Sequence, residues 1–228
     1  IKKNYKRMKK PKIFIACDTT NLRKVKNIMK YSKTNKIKIG YKFGLEFINS
    51  KKGRQFVSKL KNKIIFVDLK LHDTVNTMVA TVKALKDLKI NYLTVHVSSG
   101  FSALKAVKKV SGFTKLVGVT TLTSLNNKDL KIIGFNKSVK NLVIHQAKLA
   151  KKAGLDALVC SPYEVNAVRK IFKKEIITPG IQIGKRNYDQ KRSMEAKNVK
   201  SDWLVIGRAI TARGNIKKNI QNLSKILK

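Results

Sequence analysis

Eight short runs of apolar, largely β-branched residues recur along the chain: IFIACD from residue 13, IKIGYKF from 37, IIFVDLK from 64, YLTVHVS from 92, KLVGVTTL from 115, ALVCSP from 157, EIITPGI from 175 and WLVIGRAI from 203. Each has the length of a β-strand and runs into polar or glycine-bearing residues. Between them lie polar segments whose apolar positions fall three and four apart, as from Asn76 to Leu88, Val139 to Ala153 and Val165 to Phe172. That spacing gathers the apolar residues on one helix face. Eight strands alternating with helices in 228 residues predict an α/β protein of the (β/α)8, or TIM-barrel, class. No Gly/Ser-rich linker or composition break divides the chain, so residues 13–228 are expected to form a single barrel domain. The opening IKKNYKRMKKPK reads as a basic extension over residues 1–12, expected to be poorly ordered, with Met8 an alternative start.

Side chains two apart in a strand share a face. In the first run Ile13, Ile15 and Cys17 oppose Phe14, Ala16 and Asp18; in the second, Ile37, Ile39, Tyr41 and Phe43 oppose Lys38, Gly40 and Lys42. The third sets Ile65, Val67 and Leu69 against Phe66, Asp68 and Lys70, and the fourth sets Leu93, Val95 and Val97 against Thr94, His96 and Ser98. The wholly apolar sets suit the helix layer and the others the barrel interior. Each interior set ends in a polar residue at the C-terminal end of its strand, where barrels of this class carry their active sites. Asp18, Lys42, Asp68, Lys70 and His96 are therefore expected to converge on one small volume.

Composition changes this picture in one respect. Lys and Arg number 52 against 12 Asp and Glu, a net charge of +40. A charge of that size suits a nucleic acid or an anionic membrane as partner. Only eight of the basic residues are Arg, however, and the Lys are spread over nearly every segment. A surface evolved to grip phosphate favours the Arg fork. The spread reads as a compositional preference for Lys, and no specific nucleic-acid partner is expected. Two cysteines, Cys17 and Cys160, are too few for a disulfide framework. No apolar run approaches the roughly 20 residues of a membrane span, and the five residues Ile13 to Cys17 are too few for a signal-peptide core. A cytoplasmic protein without a membrane partner is expected.

Taken alone, Asp68 and Lys70 suit an ion pair closing the barrel, and Asp73 suits a helix N-cap. Together, two Lys and two or three Asp aimed into one mouth are costly unless the charges serve a reaction. A lysine held between carboxylates is kept as the ammonium, which makes Lys70 a placed acid. His72, His96 and His145 are scattered, and no cluster has metal-ligand spacing; no metal and no organic cofactor is expected. Across the barrel, Gly180 in TPGIQIGKRNYDQ and Gly207–Arg208 in VIGRA stand where such barrels bind phosphate, through close-approaching backbone N–H groups and a charged fork.

DLKLHDTVNT resembles the DxKxxD signature of the orotidine 5′-phosphate decarboxylase family, and ACD, YKFGLEF, VHVSSG, TTLTSL, CSP, TPGI, DQKR and VIGRAIT follow in that family's order. The resemblance covers residues 13 to about 213. It implies cofactor-free conversion of orotidine 5′-monophosphate to UMP and CO2. It further implies that Lys70 is the proton donor within a network of Lys42, Asp68 and Asp73. Asp18 and Lys42 would contact the ribose hydroxyls, and Thr123 or Ser124 the pyrimidine. Gln190 and Arg208, with the Gly207 amide, would hold the phosphate. Asp73 and Thr77 would reach into a partner subunit's site, which implies a homodimer. Two positions depart from the family: Gln182 stands where Arg is frequent, with Lys185 or Arg186 as replacements, and Thr74 stands where Ile is usual. Sugar-phosphate enzymes of the same superfamily, of the hexulose-phosphate synthase or ketogulonate-phosphate decarboxylase kind, share DxK but carry Glu on strand two and use Mg2+. Lys42 argues against them. A basic polyanion-binding protein without catalysis is the remaining alternative.

Overall fold

A computed structural model describes residues 12–182, 194–211 and 214–227. Within them eight parallel strands, β1 (Lys12–Ala16), β2 (Lys38–Gly44), β3 (Ile64–Leu71), β4 (Tyr92–His96), β5 (Lys115–Val119), β6 (Ala157–Val159), β7 (Glu175–Thr178) and β8 (Trp203–Ile206), close into a barrel in chain order. β8 returns to β1 with Ile13 opposite Leu204 and Ile15 opposite Ile206. All eight apolar runs are barrel strands. One feature without a sequence signal is a pair of two-residue strands, Ile181–Gln182 and Met194–Glu195.

The helices Leu22–Tyr31, Val75–Ala84, Phe101–Val110, Val139–Lys152, Val165–Ile171 and Ile216–Ile226 form much of the outer layer. Their starts are chemically marked. Asn21 and Ser138 accept the N–H of Lys24 and Asn141, and Asn215 accepts those of Lys217 and Lys218, satisfying donors that a helix leaves unpaired. The sets assigned to the helix layer bury there as expected: Ile13, Ile15, Cys17, Tyr41, Phe43, Ile65, Val67, Leu93 and Val95 belong to one apolar cluster with the helices. No helix among the described residues is long and apolar enough to cross a membrane.

The barrel interior is filled by Phe14, Phe66, Tyr92, Val117, Ala157, Ile177 and Trp203. Phe14 stacks on Trp203 with ring centroids 4.2 Å apart and lies 4.9 Å from Phe66. Gly40 makes room for this plug, since a Cβ there would stand 2.5 Å from Phe14 Cε1. Below the aromatics a polar cluster closes the N-terminal end. Glu175 accepts from Lys12 Nζ at 3.2 Å, Lys115 Nζ at 2.9 Å, Tyr92 Oη at 2.9 Å and Trp203 Nε1 at 3.2 Å. Burial pushes the Glu175 carboxyl up, but Lys115 and Tyr92 outweigh it and hold it at about 2, while burial and Glu175 push the Tyr92 hydroxyl up to about 12.

A second device recurs at this end. Asn91, Asp156 and Asp202 each stand directly before a strand, and their side chains accept the N–H of Ile65, Leu116 and Ile176 at 2.8, 2.9 and 2.8 Å. Their own N–H groups donate to the carbonyls of the same three residues. Each Asx thus extends a strand pairing by one bidentate rung and pins the register of β4, β6 and β8 against their predecessors.

Glu175 is a carboxylate whose folded pKa is depressed, so its stabilisation is present above its unfolded value near 4.5 and is lost as pH falls toward about 2. Glu175→Gln is therefore expected to lower the melting temperature by several degrees at pH 7. The gap from the native protein should close between about pH 4.5 and 2, as followed by thermal unfolding across that range.

Candidate active site

Above the aromatic plug, at the C-terminal ends of the strands, lies a cavity of about 310 Å3. β1 and β2 bring Ala16, Asp18 and Lys42 to it, β3 brings Phe66, Asp68 and Lys70, and the segment after β5 brings Thr121, Leu122 and Thr123. The segments after β7 and β8 bring Gly180, Ile181, Gln182, Gly207 and Arg208, with Gly207 next to Ala16 and Asp18 because β8 pairs with β1. The alternation rule explains this set, because Lys42 pairs in register with Ala16 and Phe66, and all three point inward with the plug.

The charges form a chain. Asp18 Oδ1 lies 3.1 Å from Lys42 Nζ, which is 3.5 Å from Asp68 Oδ2, which in turn is 3.0 Å from Lys70 Nζ. Asp68 is 9% exposed. Burial pushes its carboxyl up, but Lys42 and Lys70, with hydrogen bonds from Lys70 and Thr94, outweigh it and hold the group below the usual carboxylate range. Burial likewise pulls the Lys42 ammonium down, yet Asp68 and Asp18 leave it above the ordinary lysine value. Cys17, beside Asp18, is pushed up to about 12 by burial and by that aspartate. Its thiol is therefore unsuited to act as a nucleophile. The arrangement can hold two ammonium groups at fixed positions against a substrate that develops negative charge.

The backbone at this point departs from a plain strand. Val67 pairs with Leu93 and Leu71 with Val95, so Asp68, Leu69 and Lys70 bulge opposite Thr94 alone. Lys70 takes φ +49°, a left-handed conformation that costs a non-glycine residue about 1–3 kcal/mol. The Thr94 hydroxyl accepts the Lys70 N–H at 2.7 Å and donates to Asp68 Oδ1 at 3.0 Å. Thr94 was legible as an interior position, but its role depends on a bulge that no residue type announces.

Of the residues singled out by sequence, Asp18, Lys42, Asp68, Lys70, Thr123, Gln182, Gly207 and Arg208 line the cavity. Ser124, the neighbour of Thr123, is exposed and outside the lining. His96 corrects the expectation. It is level in register with Val119, which lines the cavity, yet lies outside the lining and pairs with His72, ring centroids 5.3 Å apart. Burial, then the His72 and Lys70 charges, push the His96 imidazole below its ordinary value. Asp73 and Thr77 lie on an exposed segment outside the lining, with Asp73 Oδ1 accepting the Thr74 N–H at 2.7 Å and the Thr77 hydroxyl 3.1 Å from that of Thr74. The N-cap of the following helix is Thr74, not Asp73. Gln190, Lys185 and Arg186 lie outside the described residues. Sequence reading missed the apolar wall of Leu122, Val159 and Ile181, which alternation alone does not set apart from core.

Comparison with known proteins finds relatives along almost the whole chain. A family model described as the orotidine 5′-phosphate decarboxylase / HUMPS family matches residues 11–223. The chain is 41% identical over 225 residues to orotidine 5′-phosphate decarboxylase of Wolbachia pipientis subsp. Culex pipiens, covering 94% of this chain and 98% of that protein. It is 40% identical to the same enzyme of Buchnera aphidicola subsp. Acyrthosiphon pisum over 228 residues, covering 94% and 95%. The crystal structure of orotidine 5′-phosphate decarboxylase from Lactobacillus acidophilus superposes with a TM-score of 0.81 at 28% identity, covering 96% of this chain and all of that one.

Lys42→Met removes the largest charge favouring ionised Asp68. Urea unfolding at pH 7 is expected to show a loss of about 2–3 kcal/mol. Because Asp68 has a depressed folded pKa, its contribution is present above the unfolded value and lost as pH falls through the folded one. The penalty of the substitution should therefore shrink in acid.

Proposed function

The chain belongs to the orotidine 5′-phosphate decarboxylase / HUMPS family, and from that premise we infer that it is a carboxy-lyase converting orotidine 5′-monophosphate to UMP and CO2. The observation that carries this reading over a sugar-phosphate activity is Lys42. Its ammonium stands on β2 within 3.1 Å of Asp18 and 3.5 Å of Asp68. Its positive charge fills the space between the two carboxylates and would repel a divalent cation there.

Loss of CO2 leaves the bonding electron pair on the pyrimidine carbon, with little delocalisation to spread it. Catalysis then rests on stabilising charge where it develops, with groups fixed in advance. The Lys70 ammonium is held by Asp68 beside the cavity; it faces the developing carbanion and gives its proton to that carbon. Asp18 and Lys42 take the ribose hydroxyls, and Thr123 the base. Gln182, the Gly207 amide and Arg208 take the phosphate, with Gln190 joining them. Support for the division comes from the strand order, in which β1 and β2 stand between β3, carrying Asp68 and Lys70, and β8, which leads into Gly207 and Arg208. Phosphate affinity gained far from the reacting carbon can be used to order the site around the base. The reaction needs no metal or organic cofactor and belongs to pyrimidine nucleotide synthesis in the cytoplasm.

The working form is a homodimer in which Asp73 and Thr77 serve the partner's site. Their segment is exposed from His72 to Thr77, includes Val75 at 38% exposure, and lies outside the lining of its own cavity; a second copy would cover it.

Adding purified protein to orotidine 5′-monophosphate in buffer containing EDTA is expected to cause a loss of absorbance as the nucleotide is converted to UMP. Lys70→Ala should lose nearly all turnover yet still bind UMP, while Arg208→Ala should mainly weaken UMP binding, by roughly 2–5 kcal/mol where the bound phosphate desolvates the charge pair. Restoration of activity by Mg2+ after EDTA would instead favour the sugar-phosphate class.

A mixture of Lys70→Ala and Asp73→Ala proteins tests the shared site. In a mixed dimer one site has native Lys70 and native Asp73 from different subunits, and the other lacks both, as two-fold symmetry requires. Equal mixing with free subunit exchange should regenerate about a quarter of wild-type sites. No recovery above the separate variants would confine Asp73 to its own subunit.

A further inference from the structure

Thr94 is 1% exposed and faces the bulge of β3 from β4. Its hydroxyl has one proton to give. That proton is committed to Asp68 Oδ1 at 3.0 Å, an acceptor that cannot donate while ionised. The hydroxyl oxygen must then act as acceptor toward any second partner, and the partner present is the Lys70 backbone N–H at 2.7 Å. The bulge has taken that N–H out of the strand ladder, whose pairings resume only at Leu71 opposite Val95. Without the hydroxyl, the Lys70 amide would lose this partner, and the left-handed turn at φ +49° would lose the bond that offsets its strain.

The same turn brings Lys70 Nζ back to 3.0 Å from Asp68 Oδ2. A closed ring results: one Asp68 oxygen orients the Thr94 hydroxyl, the hydroxyl holds the Lys70 backbone, and the Lys70 ammonium returns to the other Asp68 oxygen. We propose that Thr94 is the positioning residue of this site, fixing the backbone of Lys70 so that its ammonium is set for proton delivery before substrate arrives. The proposal rests on the reading of Lys70 as proton donor. It adds that the geometry of the donor is set through its main chain by a hydroxyl on the neighbouring strand. Side-chain pairing with Asp68 alone would leave a long, rotatable lysine free to adopt several approaches to the same carboxylate.

Two variants separate the hydroxyl from the volume. Thr94→Val keeps the branched shape but can neither donate nor accept, whereas Thr94→Ser keeps the hydroxyl and drops only a methyl. In a crystal structure of Thr94→Val, Lys70 is expected to leave the left-handed conformation and its ammonium to leave Asp68. With orotidine 5′-monophosphate, kcat should fall about a hundredfold, the order expected for a displaced reacting group, while KM and UMP affinity change little. Thr94→Ser should preserve both the Lys70 conformation and kcat. The inference is overturned if Thr94→Val keeps Lys70 in place, if its kcat equals that of the native protein, if the loss falls on KM, or if Thr94→Ser loses as much as Thr94→Val. Should Thr94→Val fail to fold, Thr94→Cys takes its place with the same expectations, since a thiol of similar size is a weak hydrogen-bonding group. A native protein without decarboxylase activity would refute the functional reading by itself, and the Lys70 conformation in the variants would still decide the role of Thr94.

Discussion

Asp68 sits almost out of water at the mouth of a barrel whose interior below it is aromatic. An isolated carboxylate there would lose several kcal/mol of hydration, and the surrounding structure supplies what replaces it: two ammonium groups and a hydroxyl, from β2, from β3 itself and from β4. Those three partners are also the parts of the site. Lys42 hands the charge on to Asp18 at the rim, Lys70 faces the cavity, and Thr94 ties the Lys70 backbone to the same carboxylate. Compensating one buried charge therefore sets the positions of the charged groups that line the cavity.

The other end of the barrel repeats the logic with a different outcome. Glu175 is also partly withdrawn from water and also compensated by two lysines, Lys12 and Lys115, with Tyr92 and Trp203 filling its remaining acceptor positions. There the aromatic plug lies directly above, and the carboxylate serves as a clamp on β1, β4, β5, β7 and β8. At the top, small side chains and glycines such as Ala16, Gly180 and Gly207 leave the cavity open. The same chemistry thus stabilises one face and equips the other, and the difference lies in what is packed over the charge.

Decarboxylation suits a site of this kind. The substrate's phosphate offers binding energy remote from the reacting carbon, and the cavity is long enough around the barrel for β1 and β2 to separate Gly207 and Arg208 from Asp68 and Lys70. Fixed ammonium groups need no reorganisation when charge appears on the pyrimidine, which is where preorganised electrostatics outperform water.

Much of this was legible in the residue pattern. Period-two alternation within eight evenly spaced runs determined the barrel, the strands, and the inward face carrying Asp18, Lys42, Asp68 and Lys70, because pleated backbone leaves side chains only two directions. Asn91, Asp156 and Asp202 directly before their strands were an unread signal of the same local kind. Alternation reports which way a side chain points but not what it packs against, so His96 was drawn into a cavity whose lining excludes it, its ring packing on His72 instead. The two-residue strands at Ile181 and Met194 are too short for any period. The exposed run from His72 to Thr77 carries no mark of what covers it. Above all, the left-handed turn at Lys70 and its bond to Thr94 were decided only by the pairing of β3 with β4. Lysine has no intrinsic preference for positive φ, and only a hydroxyl and a carboxylate brought together from distant segments make that conformation the stable one.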